Sequence, residues 1–186
     1  MPDPVLINVI LDESGSMGTK QRDVIEGFNV FLKGQQETLG DCRLSLVKFN
    51  TEKTVVHSAL PISAVPLLSE KTYVPGGNTA LLDAVAEAVR LADKEKRAEE
   101  KVLCLIITDG EENSSRETTR DQVRQIIKER EGLGDWTFTY LGVAPEKWEE
   151  RGLTSSLSNT AAYNTETPMM SFVQVCNATT SYRAST

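Results

Sequence analysis

A doubly wound α/β fold is what the sequence predicts, with a mostly parallel central sheet, one antiparallel edge strand and helices on both faces. Three observations carry that reading. Two short, almost wholly apolar runs, residues 5–11 (VLINVIL) and 102–108 (VLCLIIT), have the composition of central strands covered on both sides. Strand patterns alternate with helical ones along the chain, the arrangement that yields parallel strands joined by crossover helices. Two alternating segments, 42–49 and 54–60, are separated only by the turn Asn50-Thr51-Glu52 and read as a hairpin at a sheet edge.

The remaining elements follow in order. The first apolar run stops at Asp12-Glu13-Ser14-Gly15-Ser16-Met17, a polar loop. A helix is predicted over 19–36, with Val24, Phe28, Phe31 and Leu32 on one stripe. Gly27 and Gly34 weaken that helix. After the hairpin, residues 61–75 contain three prolines and are irregular. Gly76-Gly77-Asn78-Thr79 then turns the chain into a second helix that buries Leu82, Val85, Val89 and Ala92. Residues 93–101 are a charge run and read as a solvated face. The second apolar run ends at Asp109-Gly110. Thr119 and Gln122 have the spacing of a capping box; they open a third helix with Val123, Ile126 and Ile127 inward, ended by Gly132-Leu133-Gly134. Residues 136–142 (WTFTYLG) form another inner strand. Residues 145–151 read as a short helix and 161–164 as a last short strand. A terminal helix over 168–178 turns either Met170, Val173 and Cys176 or Met169, Phe172 and Val175 inward. The single domain is expected to span 1–180, leaving 181–186 as a polar tail.

Composition narrows the function. The 186 residues are 39% hydrophobic and 25% charged, enough for one buried core. No apolar run approaches the roughly 18 residues of a membrane helix. Acidic residues outnumber basic ones, 27 to 20, which argues against nucleic-acid or anionic-membrane binding. The N-terminal residues lack the basic, apolar and small-residue pattern of a secretory signal. Cys42, Cys104 and Cys176 are odd in number and read as reduced thiols, so a cytoplasmic location is expected. His57 is the one histidine, and it reads as a solvent-facing strand or loop residue.

The chemistry gathers at strand ends. In a doubly wound sheet the ligand sits beyond the carboxyl ends of the strands, where strand order reverses. The first strand delivers Asp12, Ser14 and Ser16 there, the fourth delivers Asp109, and the loop before the second helix offers Thr79. Each has an ordinary alternative as a cap or turn residue. Together they present two carboxylates and three hydroxyls. Such hard oxygen donors suit Mg²⁺, Mn²⁺ or Ca²⁺ rather than zinc. With so few charges, affinity for the metal alone should be modest, and Mg²⁺ or Mn²⁺ is the expected occupant.

With these residues in place, the chain resembles the von Willebrand factor A-type (vWA) family. The matching segments are DESGSM (Asp12, Ser14, Ser16), GGNTALLDA (Thr79) and LIITDGEEN (Asp109), and the likeness extends over nearly the whole chain. It looks most similar to stand-alone bacterial or phage vWA proteins, whose YLG strand ending recurs at Tyr140-Leu141-Gly142. The resemblance implies a Rossmann-like fold and a metal-ion-dependent adhesion site at Asp12, Ser14, Ser16, Thr79 and Asp109. It further implies a non-enzymatic, intracellular protein-binding module, monomeric or weakly oligomeric, whose metal coordinates an Asp or Glu of a protein partner.

The alternative is a Mg²⁺-dependent phosphatase or phosphoryl-transfer enzyme with Asp12 as nucleophile. Against it, the position two residues on is Ser14 rather than a second aspartate, and no lysine is evident near Asp109. No phosphate-binding glycine motif is present either. Glu13, Glu111 and Glu112 flank the motif loops, and read either as a solvated rim or as charges that shape partner choice.

Overall fold

Every residue of the strand Val5–Asp12 (β1) is buried, which only a central strand with a layer on each face permits. The computed structural model describes residues 3–109, 112–142, 160–162 and 168–184. After β1 come α1 (Gln21–Glu37), β2 (Cys42–Phe49), β3 (Lys53–Pro61), α2 (Leu81–Glu95), β4 (Lys101–Thr108), α3 (Arg120–Glu131), β5 (Trp136–Gly142), β6 (Thr160–Ala162) and α4 (Pro168–Ala184). The strands form one six-stranded sheet in the order β3-β2-β1-β4-β5-β6. All neighbours are parallel except β2 and β3, whose antiparallel pairing makes β3 an edge strand.

The alternation of side chains along the strands divides the core in two. Ile7, Val9 and Leu11 of β1 join Leu103, Leu105 and Ile107 of β4 beneath Phe28, Phe31 and Leu32 of α1 and Phe172 of α4. Leu6 and Ile10 join Val102, Cys104 and Ile106 beneath Leu82, Val85 and Val89 of α2 and Val123 of α3. Helices therefore cover both faces, as predicted. The capping box is present: Thr119 Oγ1 accepts from Gln122 N–H, and Gln122 Oε1 accepts from Thr119 N–H at 2.7 Å.

Several expectations change. The two glycines of α1 are seats for α4: a Cβ at Gly27 would run into the Phe172 ring, and one at Gly34 would lie 2.6 Å from Cys176 Sγ. Their cost in helix propensity is offset by close helix packing, a tertiary fact that local propensity does not contain. Of the two faces proposed for α4, Phe172 and Val175 are the buried pair. The helix also continues through residues expected to form a polar tail. Arg183 is buried and donates to Gln35 O, Thr38 O and Gly40 O at the C-terminal end of α1. A cation is favoured there by the helix dipole and by the unpaired terminal carbonyls. The charge run 93–101 is not wholly solvated either. Glu100 is buried against Arg43, with Oε1 2.7 Å from Nε. The short helix expected over 145–151 lies outside the described residues. The strand expected over 161–164 is seen as β6, and residues 163 and 164 lie outside them too.

Candidate metal site

The carboxyl ends of β1 and β4 lie side by side at the centre of the sheet, with the chain crossing to opposite edges from there. This is the point where strand order reverses, and backbone polar groups leaving the two strands open a crevice.

β1 ends on Asp12, which has no exposed surface. Its Oδ1 accepts from Ser14 N–H at 2.7 Å and its Oδ2 from Thr108 Oγ1 at 2.6 Å. Burial pushes the Asp12 carboxyl above its ordinary range, against the hydrogen bonds from Ser14 and Thr108, and the charge of Asp109 pushes the same way. After Ser14 the chain enters a 3-10 turn, Gly15–Lys20, that places Ser16 beside the β4 end. Ser14 Oγ and Ser16 Oγ are 3.1 Å apart, and Ser16 Oγ donates to Asp109 Oδ1 at 3.0 Å. Asp12, Ser14, Ser16 and Asp109 thus form one hydrogen-bonded chain.

Thr79 is joined to this set through backbone. Gly15 N–H donates to Gly77 O at 3.0 Å and Gly76 N–H to Glu13 O at 2.9 Å, so loops 13–16 and 76–79 run against each other. Gly77 has φ of +76°, and a Cβ there would lie 2.9 Å from Thr51 Oγ1, so this turn requires glycine. Thr79 is buried and its backbone pairs twice with Asn113, donating to Oδ1 at 2.9 Å and accepting from its N–H at 3.1 Å.

Sequence reasoning missed the residues around the five. Lys20 is the clearest: its ammonium pairs with Asp109 Oδ2, where the sequence suggested no lysine near that aspartate. It was hidden by being read as an ordinary residue of the first helix. Asp83, on the buried side of α2, accepts from the backbone N–H groups of Arg116, Glu117 and Thr118. Burial raises its carboxyl, but these donors outweigh that and hold it below the usual carboxylate range. A charge within the apolar run LLDAVAEAV was the one signal that could have marked it.

The acidic rim is different from both earlier readings. Glu13 is bound to Lys48 Nζ at 2.7 Å and to Val74 N–H at 2.8 Å. Glu112 accepts from Leu82 N–H at the start of α2, from the N–H groups of Ser114 and Ser115, and from Ser115 Oγ. Neither carboxylate is a free rim charge; both fasten loops. Glu111 lies outside the described residues.

The donor set fits a divalent cation. It offers only oxygen, one of its carboxylates is buried with no cationic partner among the described residues, and the other already attracts an ammonium. Among the described residues no three His, Cys, Asp or Glu side chains converge, so hydroxyls have to complete any coordination here. Cys42, Cys104 and Cys176 are free and distant in role; burial pushes the Cys104 thiol up to about 12 and the Cys42 thiol to about 11. His57 is half-buried on β3, and burial lowers its pKa. Among the described residues no helix is long and apolar enough to cross a membrane.

No family model matches the sequence, and no curated protein matches it. Solved structures do. The vWF domain of the type V pili tip protein Mfa5 from Porphyromonas gingivalis superposes with a TM-score of 0.72 over 98% of this chain and 97% of that one, at 10% identity. The fold is that of the von Willebrand factor A domains. Proximal thread matrix protein 1 of the mussel byssus, with a zinc-occupied MIDAS motif, gives 0.62 at 16% identity over 94% of this chain. The chain spans 46% of that protein's length. The manganese-loaded TRAP protein of Plasmodium vivax gives 0.60 at 15% identity, covering 91% of this chain and 72% of that one. At such identities the vWA likeness establishes the fold.

Proposed function

We propose that this vWA domain is an intracellular protein-binding module of the stand-alone bacterial or phage type, and not an enzyme. It uses a divalent metal held by Asp12, Ser14, Ser16, Thr79 and Asp109 to recognise an acidic residue of a protein partner. The observation that carries the reading is the continuous chain Asp12–Ser14–Ser16–Asp109 at the strand-order switch. The zinc of the mussel protein's MIDAS motif and the manganese of the TRAP protein support a dication at such a site. Three free thiols support a reducing compartment.

The residues divide the work by chemistry. Asp12, fully enclosed and held by Ser14 N–H and Thr108 Oγ1, supplies fixed negative charge and orients the loop. Ser14, Ser16 and Thr79 supply neutral oxygens, which leave a bound dication short of anionic ligands. When bound, the metal supplies a Lewis-acidic position for one further carboxylate oxygen. Metal coordination offsets the desolvation of that carboxylate, which makes a partner's Asp or Glu the favoured ligand. Mg²⁺ and Mn²⁺ are the expected metals, with Ca²⁺ and Zn²⁺ as competitors in the same titration.

Phosphoryl transfer with Asp12 as nucleophile gains a nearby lysine, yet Asp12 exposes no oxygen to attack a phosphorus atom. Calorimetric titration with each metal, and a pull-down with and without EDTA, test the proposal. Expected are modest divalent affinity and a partner captured only with metal, both lost in Asp109→Ala. Capture that ignores EDTA and depends on no single acidic residue of the partner overturns the recognition mechanism.

A further inference from the structure

Lys20 ends the 3-10 turn that carries Ser16, and its side chain turns back onto Asp109 instead of out to solvent. The pair is enclosed: the Lys20 side chain is 22% exposed and that of Asp109 6%. Beneath it, Met17, Ile107, Thr108 and Leu141 line a crevice with no room for a water molecule. Asp109 has two oxygens. Ser16 Oγ holds Oδ1, and Lys20 holds Oδ2.

We infer that Lys20 is a built-in counter-ion that competes with the divalent metal for Asp109, and so sets the metal affinity of the site. This rests on the metal reading above. Two cations on one carboxylate repel each other at short range. Metal binding and the Lys20 pair are therefore coupled with negative sign, and the coupling is reciprocal: what the ammonium contributes to the metal-free state is lost when metal enters. The chain without metal keeps its second carboxylate neutralised, and the chain with metal releases a flexible ammonium at the mouth of the site. Lysine suits this exchange because its charge is a compact point on a flexible stem. Among the described residues Asp12 has no such partner and is held by neutral donors, so the Lys20 competition acts on Asp109.

The test is calorimetric titration of Mg²⁺ and Mn²⁺ into the full chain as wild type, Lys20→Met and Lys20→Arg. Lys20→Met should bind both metals about tenfold more tightly, and Lys20→Arg should stay near wild type because it keeps the charge. Melting of the metal-free proteins gives a second reading: Lys20→Met should melt slightly lower than wild type, and should gain more on adding metal. In ¹⁵N spectra of metal-free wild type, a slowly exchanging lysine ammonium signal should be present, absent from Lys20→Arg, and lost on adding Mg²⁺. Equal or weaker metal binding by Lys20→Met overturns the role of Lys20 and leaves the metal site standing. No binding by any of the three proteins at about ten millimolar metal overturns both. If Lys20→Met does not fold, an ammonium signal unchanged by metal that demonstrably binds overturns the inference on its own.

Discussion

The two sides of the crevice hold their carboxylates in opposite ways. On the α2 side, Asp83 and Glu112 accept mainly from backbone N–H groups, with Ser115 Oγ and the Thr118 side chain donating beside them. On the β1–β4 side, Asp12 and Asp109 are held chiefly by the side chains of Thr108, Ser16 and Lys20. Backbone donors cannot leave without unfolding the loop. Hydroxyls and an ammonium can turn away. The first side is scaffold and the second is exchangeable. Their titration differs too: burial raises both carboxyls, but its donors outweigh burial at Asp83 and hold it below the ordinary range, whereas at Asp12 burial prevails and holds it above.

The sharpest way to break the contrast is Asp83→Ala. Three backbone N–H groups in the 116–118 segment would lose their charged acceptor, the buried Asp83 carboxylate, although Arg116 and Glu117 themselves are exposed. Hydrogen bonds to a charged acceptor contribute about 1 kcal/mol or more each, so a loss of about 3 kcal/mol in unfolding free energy is expected in denaturant titration. Asp83→Asn keeps an acceptor and should recover part of it. A loss under about 1 kcal/mol would place these bonds with ordinary surface contacts.

Glu112→Lys comes next. If Glu112 were one of the charges that shape partner choice, this reversal would alter partner association rates and their salt dependence. With Glu112 fastening Leu82 N–H and the 114–115 turn, it should instead destabilise the fold by about 2 kcal/mol. A protein of unchanged stability but altered association kinetics would restore the rim role.

How far the site was legible follows from the same contrast. The strand-end loops that carry Asp12, Ser14, Ser16 and Asp109, and the helix-opening loop that carries Thr79, were readable because local pattern marks such places well. The framework strands were readable for a similar reason, since β1 and β4 are unbroken apolar runs. Lys20, Asp83, Glu112 and the α1 glycines were not, because their roles depend on residues about 30 to 145 positions away. Gly27 against Phe172 is the plainest case: helix propensity counts the glycine as a defect, while the fold uses its missing Cβ. Arg183 was hidden likewise, as one charge in a polar stretch.

A smaller effect separates the two sides by pH. Asp83 and Glu100 are both held below the ordinary carboxylate range: burial raises each, and hydrogen bonds and, for Glu100, Arg43 outweigh it. A depressed carboxylate contributes stability above its unfolded pKa, and loses it as pH falls through the folded one. Stability should therefore hold near neutral pH and fall below about pH 4. Glu100→Gln and Asp83→Asn should each be less stable than wild type at neutral pH and flatten that acid limb. An acid limb unchanged in both would mean that other carboxylates drive acid unfolding.

The smallest change in stability should come from Asp109→Ala, although it removes a charge from the centre of the site. Ser16 Oγ keeps Ser14 Oγ as a partner at 3.1 Å. Lys20, already 22% exposed, needs only to extend its stem to reach water. Removing Asp109 also removes its repulsion of the buried Asp12. These terms oppose the loss of the ion pair, and pairs with solvent access contribute about 1 kcal/mol or less. Thermal and denaturant unfolding of the metal-free variant should therefore lie within about 1 kcal/mol of wild type, while its response to Mg²⁺ and Mn²⁺ disappears. Stability and metal response would then separate at Asp109 as they cannot at Asp83. A loss near that of Asp83→Ala would make Asp109 scaffold as well, and the two sides of the crevice would be of one kind.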